Sequence, residues 1–522
     1  MKKALAVLLA LLMVLSLSLT MLVACNEDTQ GNNNGTTNNG TTNNGNTNGG
    51  ETTQKPEREE LIFPKEYDFT TSGEKASFHI LQWSVDNISD AGTDWIPWEE
   101  GNVDADDGDL ISQIILDRNA LAEETYGVDI TAEYVGVNAG YMTRIRADKQ
   151  THTNEFQLLT IRSLQAWELV CEEMLYDMNE YANQNILHTD KPWWSQDAVA
   201  SYTLGDSLYL CSTEMLLRDK GATTALYFNP SIAADYEDVP DLYAMVEDMT
   251  WTWEVMLDAC EVVASSLDGD DLMNSVTDMW GVSGSLDDTQ MLFNAFGYRF
   301  AHIDEDGYVV YDFDSDENAI TTMIDIHEKY HYADWNTNRV NNKLVGAEEG
   351  SAGIFQSDHA LFQSAALVKH TVTRLRNMKT DYGILPMPMY DEDQDNYSSL
   401  VWLHHDSVVG IPSGCTNPEM SAVILEALSY EGYYSVIPVL YQTILYGRAA
   451  KTAEAKRSLQ IIFATRSYDP GQYWDKPAGL QNELLELSRK GGSDVQSLIA
   501  SHISKTYEEI AKVNAFVDKK ND

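Results

Sequence analysis

Between residues 77 and 161 the apolar positions follow two periods in turn. Residues 77–83 read as a strand. Leu110, Ile111, Ile114, Ile115, Leu121 and Ala122 then share one face of a 3.6-residue repeat. With Asp109 as a capping residue, that repeat predicts a helix through Tyr126. Val128, Ile130, Ala132 and Tyr134 alternate as a second strand, 142–149 reads as a short helix, and 156–161 as a third, more apolar strand. Strand–helix–strand repetition predicts a parallel sheet in an α/β lobe. A second series follows. Strands are predicted at 208–212, 222–229, 280–285, 308–313, 353–355, 382–386 and 407–412, and helices at 252–265 and 318–331. From Pro418 onward the pattern is mainly helical.

The first 25 residues stand apart. Lys2 and Lys3 precede an apolar run over 4–23, which ends in Leu22-Val23-Ala24-Cys25. A basic start, an apolar stretch and small or apolar residues before a cysteine form a lipoprotein signal, here residues 1–24. The run is also long enough to span a bilayer. A span, however, rarely ends on this pattern followed at once by a polar tail. Acyl chains on Cys25 would add about 0.8 kcal/mol of membrane affinity per buried CH₂. Residues 25–60 continue as Cys25 and a stretch dominated by Asn, Thr and Gly, with too little apolar surface to offset the entropy of ordering. As a coil it would span roughly 30 Å and serve as a tether. The sequence therefore predicts a bacterial protein held by lipid on the outer face of the cell membrane.

Charge narrows the partners. Eighty-two acidic residues against 34 basic ones give a net charge of −48. Such a field opposes nucleic acid, whose binding rests on basic patches, and opposes lying flat on anionic lipid. Past Cys25 the cysteines are Cys171, Cys211, Cys260 and Cys415, far apart and with no C-x-x-C. They make neither a metal motif nor a dense disulfide frame. Separate buried thiols are expected, with one disulfide as the alternative in an extracytoplasmic compartment.

Longer motifs add a family resemblance. Gly205-Asp206-Ser207-Leu208-Tyr209-Leu210 is followed by Ala225-Leu226-Tyr227-Phe228-Asn229-Pro230 and by Thr252-Trp253-Glu254 at the head of a helix. Later come Gly350-Ser351-Ala352-Gly353-Ile354, Asp381-Tyr382-Gly383-Ile384-Leu385-Pro386-Met387-Pro388, and Val408-Val409-Gly410-Ile411-Pro412 with Asn417-Pro418-Glu419. In order and spacing these resemble the extracellular solute-binding proteins of ABC importers, in the maltose-binding-protein-like, carbohydrate-binding branch (family 1). The resemblance covers nearly all of residues 76–480. Residues 215–224 look like an insertion, and Gly353-Ile354 replaces the usual Ala-Met. The resemblance implies an α/β, two-lobed periplasmic-binding-protein-like fold of type II, with lobes joined by hinge strands around an interlobe cleft. Lobe one would hold 61–212 plus 356–411, and lobe two 213–355 plus 412–522. Ligand would close the lobes as a hinge.

Cleft residues should follow strand ends and hinge strands. Sugars stack on aromatic rings, while carboxylates, amides and Arg take their hydroxyls. The candidate ligand residues are therefore Trp83 and Asp86 after the first strand, and Arg162 after the third. Trp193 and Trp194 lie in a loop, and Glu214 follows a hinge strand at a position that matches a polar cleft residue of the family. Trp402 and His404 precede a crossing, and Trp474 lies in a late loop. Trp95 and Trp98 are candidates for a rim.

His327-Glu328-Lys329-Tyr330-His331 has the H-E-x-x-H pattern of zinc peptidases. The helix ends at once and no further histidine follows at the required spacing, so that chemistry is set aside. The acidic runs 104–109 and 391–395 lack the glycine and the glutamate of a calcium loop. No P-loop, G-x-S-x-G or G-x-G-x-x-G occurs, so no cofactor, metal or catalytic residue is assigned. The sequence predicts a monomeric receptor that hands a mono- or oligosaccharide to membrane permease subunits. The alternatives are a surface enzyme that degrades polysaccharide with Asp and Glu, or a sugar-binding lipoprotein without an importer.

Overall fold

The computed structural model describes residues 58–84, 110–136, 140–285, 287–312, 317–340, 350–368, 378–442, 451–472 and 494–521, with 375, 480, 483, 484, 486 and 487. Cys25, Asp86, Trp95, Trp98 and Trp474 lie outside the described residues, as do the signal and most of the tether. Residues Leu61–Asp522 form one compact unit.

The first sheet is built as the periodicity predicts. Strand β1 (Ala76–Ser84) pairs in parallel with β2 (Val128–Gly136), from Ala76 opposite Val128 to Ser84 opposite Gly136. Helix α1 (Leu110–Tyr126) joins them. Helix α2 (Tyr141–Thr151) leads to β3 (Leu158–Arg162), which pairs in parallel with the other edge of β1. Phe78, Ile80, Leu81, Gln82 and Trp83 of β1 are all buried. Its second half, residues 80–83, is covered on both faces as in a central parallel strand, so it carries no alternation. Ile111, Ile115 and Ala122 of α1 face the core, but Leu121 is 46% exposed. One turn of the expected apolar face thus points to solvent. Helix α3 (Ser163–Cys171) follows β3 directly.

A hairpin of β4 (Thr203–Leu204) and β5 (Ser207–Leu208) comes next. The strand expected at 208–212 is shorter than this and continues only as an isolated bridge between Cys211 and Val409. The second sheet begins at β6 (Thr224–Phe228). Helix α4 (Trp253–Val263) leads to β7 (Trp280–Ser283), then come α5 (Asp288–Ala295), the hairpin β8 (Ala301–Ile303) and β9 (Val309–Tyr311), and α6 (Glu317–Asp325). Residues expected as a strand at 353–355 lie instead inside a helix, Gly350–Gln356. Asp358, at φ 62°, ends that turn and sends the chain into β10 (Ala360–Leu367), which the sequence did not signal. β11 (Gly383–Leu385) completes a sheet of order β11-β6-β10-β7.

The chain then passes through β12 (Ser399–Leu400) to β13 (Ser407–Gly410), which runs antiparallel to β3 and gives the first sheet the order β13-β3-β1-β2. Helix α7 (Pro418–Glu431) packs on α1, α8 (Ala453–Ala464) on β11, and β14 (Arg466–Ser467) pairs with β12. The final helix α9 (Val495–Asn521) lies along β9 and α6.

The sheets thus correct the expected division at two places. β10 and β11 belong with β6, although 356–411 was assigned whole to lobe one. α7 packs on the first lobe's α1, although 412–522 was assigned to lobe two. Pairing decides membership. β10 finds its hydrogen-bond partners in β6 and β7, and only from β13 onward does the chain rejoin β3.

Candidate functional site

β1 ends at Ser84, just past Trp83, β3 ends at Arg162, and antiparallel β13 begins at Ser407, opposite Arg162. Trp83 is buried and its Nε1–H donates to Ser407 Oγ at 2.6 Å. The Arg218 guanidinium, just ahead of β6, lies 4.0 Å from the Trp83 ring centroid, and that of Arg162 lies 5.5 Å away. Cations over an indole face are attracted by its quadrupole. Arg162 Nε donates to the His404 carbonyl at 3.1 Å, and the His404 ring stacks on Trp402 with centroids 5.2 Å apart. The Trp402 amide donates to the Ala222 carbonyl at 2.9 Å, and Thr223 bridges to Val401. Four of the sequence-predicted residues, Trp83, Arg162, Trp402 and His404, therefore converge at one place. Trp402 is buried; Arg162 and His404 are half-buried.

Glu214 stands beside them in a buried ion cluster. Lys220 Nζ lies 2.7 Å from Glu214 Oε2, 3.0 Å from Asp219 Oδ2, and donates to the Leu216 carbonyl at 3.2 Å. Arg466, carried in by β14, reaches Asp219 at 2.6 Å and Glu214 at 3.6 Å. The Tyr468 hydroxyl also donates to Asp219, at 3.3 Å. Two cations face two carboxylates, so the cluster is balanced. Such a group survives burial only when its members are paired and hydrogen-bonded. Gly432 shapes the same spot: a Cβ there would fall 2.1 Å from the Glu214 carbonyl oxygen. It opens a π-helical turn (Gly432–Val436) that lies against the Glu214 backbone.

Ser163 donates from Oγ to Asp406 Oδ2 at 2.7 Å. Burial first, and then the charge of Asp219, push the Asp406 carboxyl up to about 8. Its Oδ1 has no hydrogen-bond partner among the described residues. At the end of the second sheet, Asp288 Oδ2 accepts from Ser364 Oγ at 2.6 Å and from the Tyr330 hydroxyl at 2.7 Å, and burial raises it to about 7. Gln472 is buried with neither amide atom hydrogen-bonded among the described residues.

Trp193 and Trp194 go elsewhere. Both rings are buried and both indole N–H groups donate to one carboxylate, Glu426 of α7, at 2.7 and 2.9 Å. Trp193 also meets Tyr430 edge to face, with centroids 5.2 Å apart. This corrects their expected place in the cleft: a Trp-Trp pair in a loop turns inward when a buried acceptor can hold both N–H groups.

His327 and His331 sit on a π-helical turn (Ile326–His331) with rings 5.2 Å apart. His331 Nε2 contacts Thr289 Oγ1, and its Nδ1 lies 3.1 Å from the Asn338 amide nitrogen, so both ring nitrogens are engaged. Burial lowers the two imidazoles to about 4 and about 3, which keeps them neutral. No group of three or more metal-ligating side chains occurs among the described residues.

Sequence reading missed Arg218, Asp219, Lys220, Arg466 and Asp406. One signal was present: Arg218-Asp219-Lys220, in the segment read as an insertion, sits between the apolar runs Met215-Leu216-Leu217 and Ala222–Phe228. Charges flanked so closely by core residues are candidates for buried partners.

Comparison with solved structures identifies the fold. The likeness to a cyclo/maltodextrin-binding protein complexed with maltotetraose has a TM-score of 0.51 at 13% identity, covering 84% of this chain and 99% of that one. An ABC substrate-binding protein from Listeria monocytogenes, in complex with cycloalternan, gives 0.49 at 8% identity, with 83% and 99% covered. The chain has the two-lobed α/β fold of type II solute-binding proteins. No protein-family model and no curated protein matches the sequence.

Proposed function

We propose that the chain is an extracellular solute-binding protein of an ABC importer, lipid-anchored at Cys25, that takes up a carbohydrate in the interlobe cleft and delivers it to membrane permease subunits by lobe closure. The observation that carries this reading is the meeting of Trp83, Arg162, Trp402 and His404 at the ends of β1, β3 and the crossing into β13. The resemblance of the motifs places a ligand at such strand ends, and aromatic and hydrogen-bonding groups side by side suit a sugar. The maltodextrin-binding relative of the same fold supports trying α-glucans first.

A thermal-shift series with mono- and oligosaccharides tests the reading, because a ligand of the native state raises Tm by mass action. A Tm rise with at least one sugar, reduced in Arg162→Ala and with the sugar recovered unchanged, is expected. Stabilisation by peptides or lipids and by no sugar would overturn the carbohydrate assignment, and consumption of the sugar would replace the receptor by an enzyme. For the anchor, Cys25→Ser should move the protein from the membrane fraction to the medium.

A further inference from the structure

A groove of about 590 Å³ lies outside the cleft, lined by residues of 179–190 and by the β4–β5 hairpin. Its volume falls within the roughly 300–1,000 Å³ of small-ligand sites. It is remote from the strand ends described above. β13 leaves Arg162 at Ser407 and runs away from it, and the segment that enters the groove joins beyond its far end, where Leu175 bridges to Pro412 and Met178 bonds to Leu208.

One wall is a histidine held in a fixed orientation. His188 Nδ1 lies 2.7 Å from Glu426 Oε1, and its backbone N–H donates to Oε2 at 3.3 Å. Glu426 is wholly buried and is itself locked by the Trp193 and Trp194 indole N–H groups. With Nδ1 turned to the carboxylate, Nε2 is left on the opposite side of a ring that lines the groove. Outer carboxylates orient histidines in this way where the free nitrogen has a ligand to meet. Asn183, Asn185, Asp190 and Asp206 line the same groove, and their side chains make no hydrogen bond among the described residues.

The donor set selects the ligand class. Two carboxylates, in a chain of net charge −48, disfavour an anion. The described residues hold no cluster able to bind a metal ion. The set fits a neutral polyol, whose hydroxyls both donate and accept. Carboxylate and amide oxygens take the hydroxyl protons, and amide NH₂ groups and His188 Nε2 serve the oxygens. The Glu426 hydrogen bond raises the His188 pKa, and Nε2 can bond a hydroxyl in either protonation state.

We propose that this groove is a second carbohydrate site, separate from the cleft, that holds a neutral polysaccharide chain on the surface of the first lobe. The test is native electrophoresis of the full chain through gels containing soluble starch, pullulan, xylan, mixed-linkage β-glucan or galactomannan. At least one should retard the wild type. Asn183→Ala/Asn185→Ala, exposed positions that leave the Glu426 anchor intact, should weaken that retardation about tenfold, as expected for losing one or two hydrogen bonds. In a gel of a polysaccharide whose oligosaccharides give no Tm rise at the cleft, Arg162→Ala should be retarded like wild type. Equal retardation of wild type and the double Asn variant, or no retardation of the wild type in any gel, would overturn the groove. Loss in Arg162→Ala alone would assign the binding to the cleft.

Discussion

Replacing Lys220 by Met removes the cation closest to Glu214 and leaves its aliphatic volume in place. Lys220 is fully enclosed: its Nζ sits 2.7 Å from Glu214 and 3.0 Å from Asp219. In the variant Glu214 and Asp219 share Arg466 alone, so one buried negative charge is uncompensated. Breaking a buried pair from one side costs about 3–5 kcal/mol. At about 1 °C per kcal/mol for a chain of this size, Tm should fall roughly 3–5 °C. Lys220→Met with Glu214→Gln restores the balance between Asp219 and Arg466, and should recover at least half of the loss. Calorimetry or urea unfolding of wild type, both single variants and the double variant completes the cycle. A Lys220→Met variant within about 1 kcal/mol of wild type, or single effects that simply add in the double, would refute the reasoning.

Other perturbations follow from the same interior. Asp406, Asp288 and Asp469 are raised to about 8, about 7 and about 7, chiefly by burial. Their stabilisation is full below the ordinary carboxylate pKa and is lost as pH rises through 7–8, so Asp406→Asn should flatten the fall of Tm between pH 6 and 9. Gly432→Ala sets a Cβ against the Glu214 carbonyl and should destabilise by about 1–3 kcal/mol in urea unfolding. Glu426→Leu leaves two buried indole N–H groups and the His188 imidazole without their acceptor; a loss of about 3 kcal/mol or more is expected, visible as a lowered urea midpoint.

Local order was legible because it is written in periods. The spacing of Ile111, Ile115 and Ala122, the alternation of Val128, Ile130 and Ala132, and the apolar run before Arg162 each named an element of the first lobe, and the motif order led to the two-lobed fold. Trp83, Arg162, Trp402 and His404 come together because the strand ends and the crossing that carry them adjoin. Position along the chain said nothing of partners that lie hundreds of residues away. Whether Trp193 and Trp194 face outward depends on Glu426, more than 230 residues later. Whether Lys220 can be buried depends on Glu214, Asp219 and the arrival of Arg466 on β14. β10 looked like no strand until β6 and β7 offered it hydrogen bonds on both edges. By itself the sequence determined most elements of the first sheet and their order. Tertiary structure decided which charges meet and which rings turn inward. Hydrophobic periodicity is a property of one segment, whereas a hydrogen bond or an ion pair belongs to two segments and exists only once the chain has brought them together.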